Sequence, residues 1–416
     1  MRMKFTRSSQ LVLVSAASLL AASLVTACSQ LTQTLTVDFV YVASAKAAGA
    51  NSYGEIDVFE INSESGRMRQ IPTSPFPSQG RNPVAEAVSA DYGSLFVVNE
   101  DDNTIVQFVI GSDGKLYAFN TVNTPGVFPL AIATNKSNLF VVDTYQPLPI
   151  CSTADPCSGS IAVYPLTAGT SSTPVSMGSA VVNTAVNGQY WPLTLSGANA
   201  NHIIVPTAVN LLASGAYVYV TAYDSSVSPH VGYIFGFSVG SGGALTALAG
   251  SPYSTAGLQQ PSAIASDSTS TYVYVTDYNG GDVMGYKVAS GSLTLLPGSP
   301  FAAGNQPSAI VVDPSYPYAY VANSLDATVT AYSISNGALS RIGSYTTGLQ
   351  PVAIGIDPST SHFLYTANFL GNNVSGYEMS LTAGTLLDSQ LSPYVSNDNP
   401  TAVAAIPHNG TGAGIQ

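Results

Sequence analysis

An all-β chain folded as a seven-bladed β-propeller is what the sequence predicts. Three observations point there: a composition suited to short strands and tight turns, an aromatic strand segment that recurs seven times, and complementary half-units at the two ends of the array. The 416 residues include 37 Gly, 26 Pro and 24 Tyr, while 45% are hydrophobic and only 8% charged. That much apolar material supplies a core and argues against disorder. The Gly, Pro and Tyr excess favours strands and turns over surface helices or a coiled coil.

Each unit is read in chain order. Its first strand opens with Pro and small apolar residues, as in Pro129-Leu130-Ala131-Ile132, Pro261-Ser262-Ala263-Ile264, Pro307-Ser308-Ala309-Ile310 and Pro351-Val352-Ala353-Ile354. Small side chains suit the crowded innermost position. The second strand carries the recurring aromatic, at Tyr41, Phe96, Phe140, Tyr219, Tyr274, Tyr320 and Tyr365. Insertions apart, the spacing is about 45 residues, the period of a propeller blade. A third strand follows, such as Val329-Thr330-Ala331-Tyr332. A Gly-x-Leu turn then opens the fourth, at Gly114, Gly243, Gly291, Gly337 and Gly384, where Gly supplies positive φ. The first copy lacks its first strand, and the strand near Pro400 to Ile406 has no partners after it. Pairing the two closes the ring and removes its open edge. An open solenoid would need capping repeats, and none is visible.

The Tyr-Val-(Thr/Ala)-Asn signature, preceded by Pro-x-Ala-Ile, resembles the lactonase-like seven-bladed family over residues 38–408. That family includes bacterial 6-phosphogluconolactonases and surface YVTN-repeat proteins. The resemblance speaks to fold more than to chemistry, because propellers host enzymes and non-enzymes alike.

Residues 1–27 read as a secretory signal: basic Arg2, Lys4 and Arg7, an apolar run from Leu11 to Val25, then small residues. Val25-Thr26-Ala27-Cys28 resembles the lipobox of bacterial lipoproteins, which implies lipidation of Cys28, a tether over 28–37 and export to the cell envelope. Ser29 in place of Asp favours the outer membrane or surface over the inner membrane. An ordinary signal peptide with an incidental Cys is the alternative. Residues 409–416 read as a tail. Cys151 and Cys157 remain as an even pair, and a local disulfide accounts for them in an oxidising compartment.

The formal net charge is −12, and three of the 11 basic residues lie in the leader. Nucleic acid is thereby excluded as a partner, leaving glycans, small lactones or envelope proteins for a chain read as a monomer. The loops leaving the second strands and those entering the first strands should share one face. Candidate ligand-binding residues there are Asn82, Asn99, Asp143, Gln260, Asp277, Gln306, Asn323, Gln350 and Asn368, which alternatively make turns and strand caps. Two insertions of the third unit, 144–160 and 170–205, are expected on the same face. The second brings Trp191, either a stacking or anchoring group or a plug beneath a loop. Asn99-Glu100-Asp101-Asp102-Asn103 reads as a solvated turn, with a Ca²⁺ site as the alternative; no other metal or cofactor is called for.

The resemblance implies a catalytic Arg-His pair after a first-strand Pro and a Glu beyond the next Val-Asn. Glu100 matches the Glu. The Arg-His pair is missing from Arg81-Asn82-Pro83-Val84-Ala85-Glu86, leaving Arg81 as a substitute and His202 or His230 as assistants. Base and oxyanion donor would then be Glu100 and Arg81. The sequence therefore favours a membrane-anchored binding or interaction module, with an extracytoplasmic lactonase as the alternative and a purely structural envelope protein third.

Overall fold

The computed structural model describes residues 37–170, 173–254, 257–358 and 362–407. Cys28, the leader, the tether up to residue 36, the tail and His408 lie outside these residues, and Val37, the last residue of the expected tether, already belongs to a strand. Among the described residues the strands form seven antiparallel sheets. The inner strand of each touches the inner strand of the next, and the last returns to the first, so the sheets form a closed ring.

Blade 1 joins both ends of the chain. Its inner strand is Pro400–Ile406, followed outward by Val37–Ala48 and Tyr53–Asn62, with Met68–Gln70 and Phe76–Pro77 sharing the outer position. Phe39 stands opposite Ile406 and Ala43 opposite Ala402. Blades 2 to 7 begin with inner strands Pro83–Val88, Val127–Thr134, Ile204–Leu211, Pro261–Ser266, Pro307–Val312 and Pro351–Ile356. Their second strands are Ser94–Asn99, Asn138–Tyr145, Tyr217–Asp224, Tyr272–Asp277, Tyr318–Asn323 and Phe363–Asn368.

The second strands read as continuous apolar runs because they are covered on both sides. Leu95 and Val97 pack in the core between blades 1 and 2, whereas Phe96 and Val98 pack between blades 2 and 3. Alternate residues thus serve opposite neighbours, as the two-residue period of a strand dictates.

Neighbouring blades are latched where the second-strand Tyr meets the next blade's Gly-x-Leu turn. Tyr41 donates its hydroxyl to the carbonyl of Gly114 at 3.1 Å, Tyr219 to Gly291 at 2.7 Å, Tyr274 to Gly337 at 2.9 Å and Tyr320 to Gly384 at 3.1 Å. These tyrosines are fully buried. The turn glycines have two reasons to be glycine. Gly337 has φ of 84°, and a Cβ on it would lie 2.4 Å from the Tyr272 ring of blade 5. Gly114, at φ 78°, meets Phe39 of blade 1 in the same way at 2.5 Å. A second set of bridges joins the inner strands: Ser262 Oγ donates to the Pro307 carbonyl, Ser308 Oγ to Pro351 and Thr401 Oγ1 to Pro83.

Four outer positions carry a Ser-Pro-Phe/Tyr element that sequence reading passed over. Ser74, Ser251, Ser299 and Ser392 each accept, on the side-chain oxygen, a backbone N–H of the third strand, from Val58, Gly236, Gly285 and Gly376. The insertion holding Trp191 also belongs to the periphery. Its segments Ser176–Met177 and Trp191–Pro192 pair with the third strand of blade 3, away from the channel.

Buried carboxylates make the molecule sensitive to pH. Burial pushes Asp143 up to about 7, and it pushes Asp57 and Asp282 up to about 6. Glu86, on the inner strand of blade 2, is raised well above its ordinary range by burial, which outweighs the opposing influence of the Ala404 backbone N–H. These folded-state values lie above the unfolded ones, so the native state holds more protons. Stability therefore falls as pH rises from about 4 to 7.

Two tests follow from this packing. Tyr274→Phe orphans the buried Gly337 carbonyl and should cost about 1–2 kcal/mol in urea unfolding, and Gly337→Ala, which adds both strain and a clash, should cost more. Asp143→Asn places in blade 3 the amide that blades 2, 6 and 7 carry at Asn99, Asn323 and Asn368. Asp143 faces Ser160 across the strand pair, and Asp143 Oδ1 and Ser160 Oγ both lack partners. Urea midpoints should show a gain of roughly 1–3 kcal/mol at pH 7.5 that fades toward pH 4.

Candidate functional site

In most blades the proline opening the inner strand pairs with the final residue of the second strand: Pro83 with Asn99, Pro261 with Asp277, Pro307 with Asn323 and Pro351 with Asn368. The residue before each proline and the residue after each second strand therefore meet at one end of the ring, the channel mouth. A backbone hydrogen bond repeats there: the N–H of Glu100, Tyr278, Ser324, Phe369 and Ala45 donates to the carbonyl of Asn82, Gln260, Gln306, Gln350 and Asn399.

Of the expected rim residues, the strand-terminal ones sit one step too deep. Asn99, Asp143, Asp277, Asn323 and Asn368 are fully buried, so the expectation that they line the mouth is corrected. They hold the entering loops from beneath. Gly126 donates its N–H to Asp143, Gln259 and Gln260 donate theirs to Asp277, and Gly304 donates to Asn323. Gly80 and Gly304 lie so close over Asn99 and Asn323 that a Cβ would meet those amide carbons at 2.4 and 2.6 Å.

The residues before the prolines do reach the rim. Asn82, Gln260, Gln306 and Gln350 are half-buried. Asn82, Gln306 and Gln350 have φ of 53–54°, and Phe128 and Asn399, also before prolines, have 57° and 59°. Left-handed backbone is uncommon for such residues and disfavoured before proline, and strain of this kind gathers at ligand-contacting segments. The amides link the rim laterally. Asn82 Nδ2 donates to Glu100 Oε2 at 2.6 Å, Asn279 Nδ2 to Gln260 Oε1 at 2.7 Å, and the Tyr278 hydroxyl to Gln306 Oε1 at 2.9 Å.

Glu100 and Arg81 stand at the same end of blade 2, on the segments leaving the second strand and entering the first, but face different partners. Burial, and secondarily the neighbouring Asp101, raise the Glu100 carboxyl above its ordinary range. Arg81 is exposed and clasped by Asp102: its backbone N–H and Nε both reach the carboxylate at 2.7 Å, and Nη2 lies 2.5 Å from Oδ1. Asp102 is thus engaged by a cation of the chain itself. Among the described residues, no three His, Cys, Asp or Glu side chains gather in a way that could hold a metal ion. The positions where the family pattern would place Arg-His are Val84 and Ala85, which pack against the core shared with blade 3.

His202 lies on blade 4, and no hydrogen bond links it to Glu100 or Arg81. Its Nδ1 is 2.5 Å from Asp224 Oδ2, a carboxylate absent from the sequence expectations. Trp191 is 7% exposed and donates its indole N–H to the Leu245 carbonyl at 2.9 Å. It is therefore the plug between blades 3 and 4, which corrects its candidacy as a ligand contact. Cys151 and Cys157 form a disulfide within the mouth-face loop of blade 3. A cavity of about 260 Å³ opens on the opposite face, lined by Ser89, Asp91, Asn135 and Lys136 among others.

A family model described as a lactonase seven-bladed β-propeller matches residues 39–189 and 291–405. Solved structures similar to this chain include a putative 6-phosphogluconolactonase from Bacteroides fragilis, 21% identical with a TM-score of 0.70, covering 90% of this chain and 99% of that one. Another is the periplasmic gluconolactonase of Pseudomonas aeruginosa, 17% identical with a TM-score of 0.68, covering 89% and 99%. At such identities the likeness concerns the fold. No curated protein matches the sequence.

Proposed function

This chain belongs to the lactonase family of seven-bladed β-propellers, and from that premise we propose that it is a ligand-binding module of the bacterial cell envelope, tethered through a lipid on Cys28 and taking a small polyhydroxylated ligand at the channel mouth. The observation that carries the reading is the rim of half-buried amides, three of them on strained backbone before proline. Amides both donate and accept, which suits hydroxyl groups. The paired state of Arg81 and the acidic surface disfavour a phosphorylated ligand.

Lactone hydrolysis is the second reading, favoured by Glu100. A half-buried carboxylate raised by burial and steadied by Asn82 is a suitable base for activating water, and a similar fold is named as a periplasmic gluconolactonase. Binding is preferred because the oxyanion formed in hydrolysis needs a free cation or a donor array. Arg81 is occupied, and apolar residues fill the Arg-His positions.

D-glucono-1,5-lactone separates the two. The expected result is saturable binding, seen by calorimetry, without acceleration of ring opening. Acceleration that falls about 100-fold or more in Glu100→Gln would establish the hydrolase instead.

A further inference from the structure

The mouth is not level. The inner strands of blades 3 and 4 begin two residues before their prolines, at Val127 and Ile204, and pair there with second strands prolonged to Tyr145 and Asp224. Two residues add about 6–7 Å of height. The raised wall carries an unusual set of side chains. Phe128 and Tyr145 meet edge to face with ring centroids 5.9 Å apart, and Tyr223 lies 4.9 Å from the His230 ring. Burial, and secondarily the neighbouring Tyr145, push the Tyr223 hydroxyl above its ordinary range. Phe128, Tyr145 and Tyr223 are half-buried and belong to none of the hydrophobic clusters between blades, whereas the recurring second-strand aromatics are fully buried.

Behind the rings, Asp224 fixes two imidazoles. It is 2% exposed; Oδ2 faces His202 Nδ1, and Oδ1 accepts the Ser226 N–H. His230 Nδ1 faces the Asp224 and Val227 carbonyls at 3.1 and 3.0 Å. Carbonyls and an ionised carboxylate only accept hydrogen bonds, so each neutral imidazole carries its hydrogen on Nδ1. Each Nε2 is then an acceptor, and neither makes a hydrogen bond within the described residues.

The geometry points to a neutral-saccharide subsite on the raised rim of blades 3 and 4, where Phe128, Tyr145 and Tyr223 stack on a pyranose ring and Nε2 of His202 and His230 accepts its hydroxyl hydrogens. It rests on the reading of the mouth as the ligand-binding face and adds the ligand class and a second set of contacts. A sugar ring offers an apolar C–H face to the aromatics and donor hydroxyls to the two bases. No Lys or Arg stands in the cluster to select a phosphate.

The test is imidazole ¹H–¹⁵N spectroscopy of the full folded chain at pH 8. The panel is glucose, galactose, mannose, N-acetylglucosamine and cellobiose, with glucose 6-phosphate as charged comparator. His202 and His230 should appear as Nδ1–H tautomers, and at least one neutral sugar should shift both Nε2 resonances. Tyr223→Ala and Tyr145→Ala should weaken that response about tenfold, and Lys136→Ala, on the opposite face of the ring, should leave it intact. An Nε2–H tautomer at either residue, or no shift with any neutral sugar, overturns the subsite. So does a response unaffected by Tyr223→Ala and Tyr145→Ala. If Glu100→Gln instead abolishes a response that both tyrosine variants retain, the mouth keeps its ligand and only this subsite falls. A lack of any binding in wild type, glucono-1,5-lactone included, removes both readings.

Discussion

Every position assigned here depends on the antiparallel pairing of Val37–Ala48 with Pro400–Ile406. A meander of blades without it would expose two long edges and leave half-built cores at each end. With it, the strands at the two ends of the described chain share one sheet, and inner strands touch in an unbroken circuit. The circuit fixes the channel, and the channel fixes which loops form its mouth. Closure is reinforced locally: Asn397 donates its backbone N–H to Asp57 and its amide to Glu55, and Lys46 pairs with Asp398. These contacts span more than three hundred residues of sequence, so loop-closure entropy opposes them until the intervening blades have formed.

Within the circuit, fully buried polar groups and polar groups at the rim are separated by a single residue. The strand-terminal Asn or Asp points down and organises backbone, while the next residue and the one before the proline stand at the rim. Glu100 illustrates the division: it follows Asn99, which is fully buried, yet remains half-exposed and bonded to Asn82. The same depth relation makes Asp143 a liability in the core and Asp224 useful, because Asp224 has an imidazole and a backbone N–H to satisfy it whereas Asp143 has an oxygen without a partner.

The architecture was legible because its determinants repeat. Tyr274, Gly337 and Pro307 each act through a blade-to-blade contact, and a contact made many times leaves a period in the sequence. The site was less legible because its determinants are departures from that period. Ala222 stands opposite Pro206 where five sister blades have Asn or Asp, and this hid the lengthened strand that ends in Asp224. His202 and Asp224 are 22 positions apart, with no local pattern to join them. Asn99 and its counterparts lie one place too deep for the rim expected of them, although the two-residue alternation of a strand separates such neighbours. Trp191 sits in an insertion without repeats, where sequence left stacking and plugging equally open. The Ser-Pro-Phe/Tyr element was visible four times, and only its hydrogen bond to the third strand explains it.

Amide hydrogen exchange along Pro400–Ile406 addresses ring closure most directly. A closed ring requires Ala402, Ala404 and Ile406 to exchange as slowly as Val275 or Val321 in the middle of the molecule, through global unfolding alone. Exchange at these positions as fast as in an exposed segment, with Val275 and Val321 still protected, would mean that the ring is open and that the rim described here is not assembled.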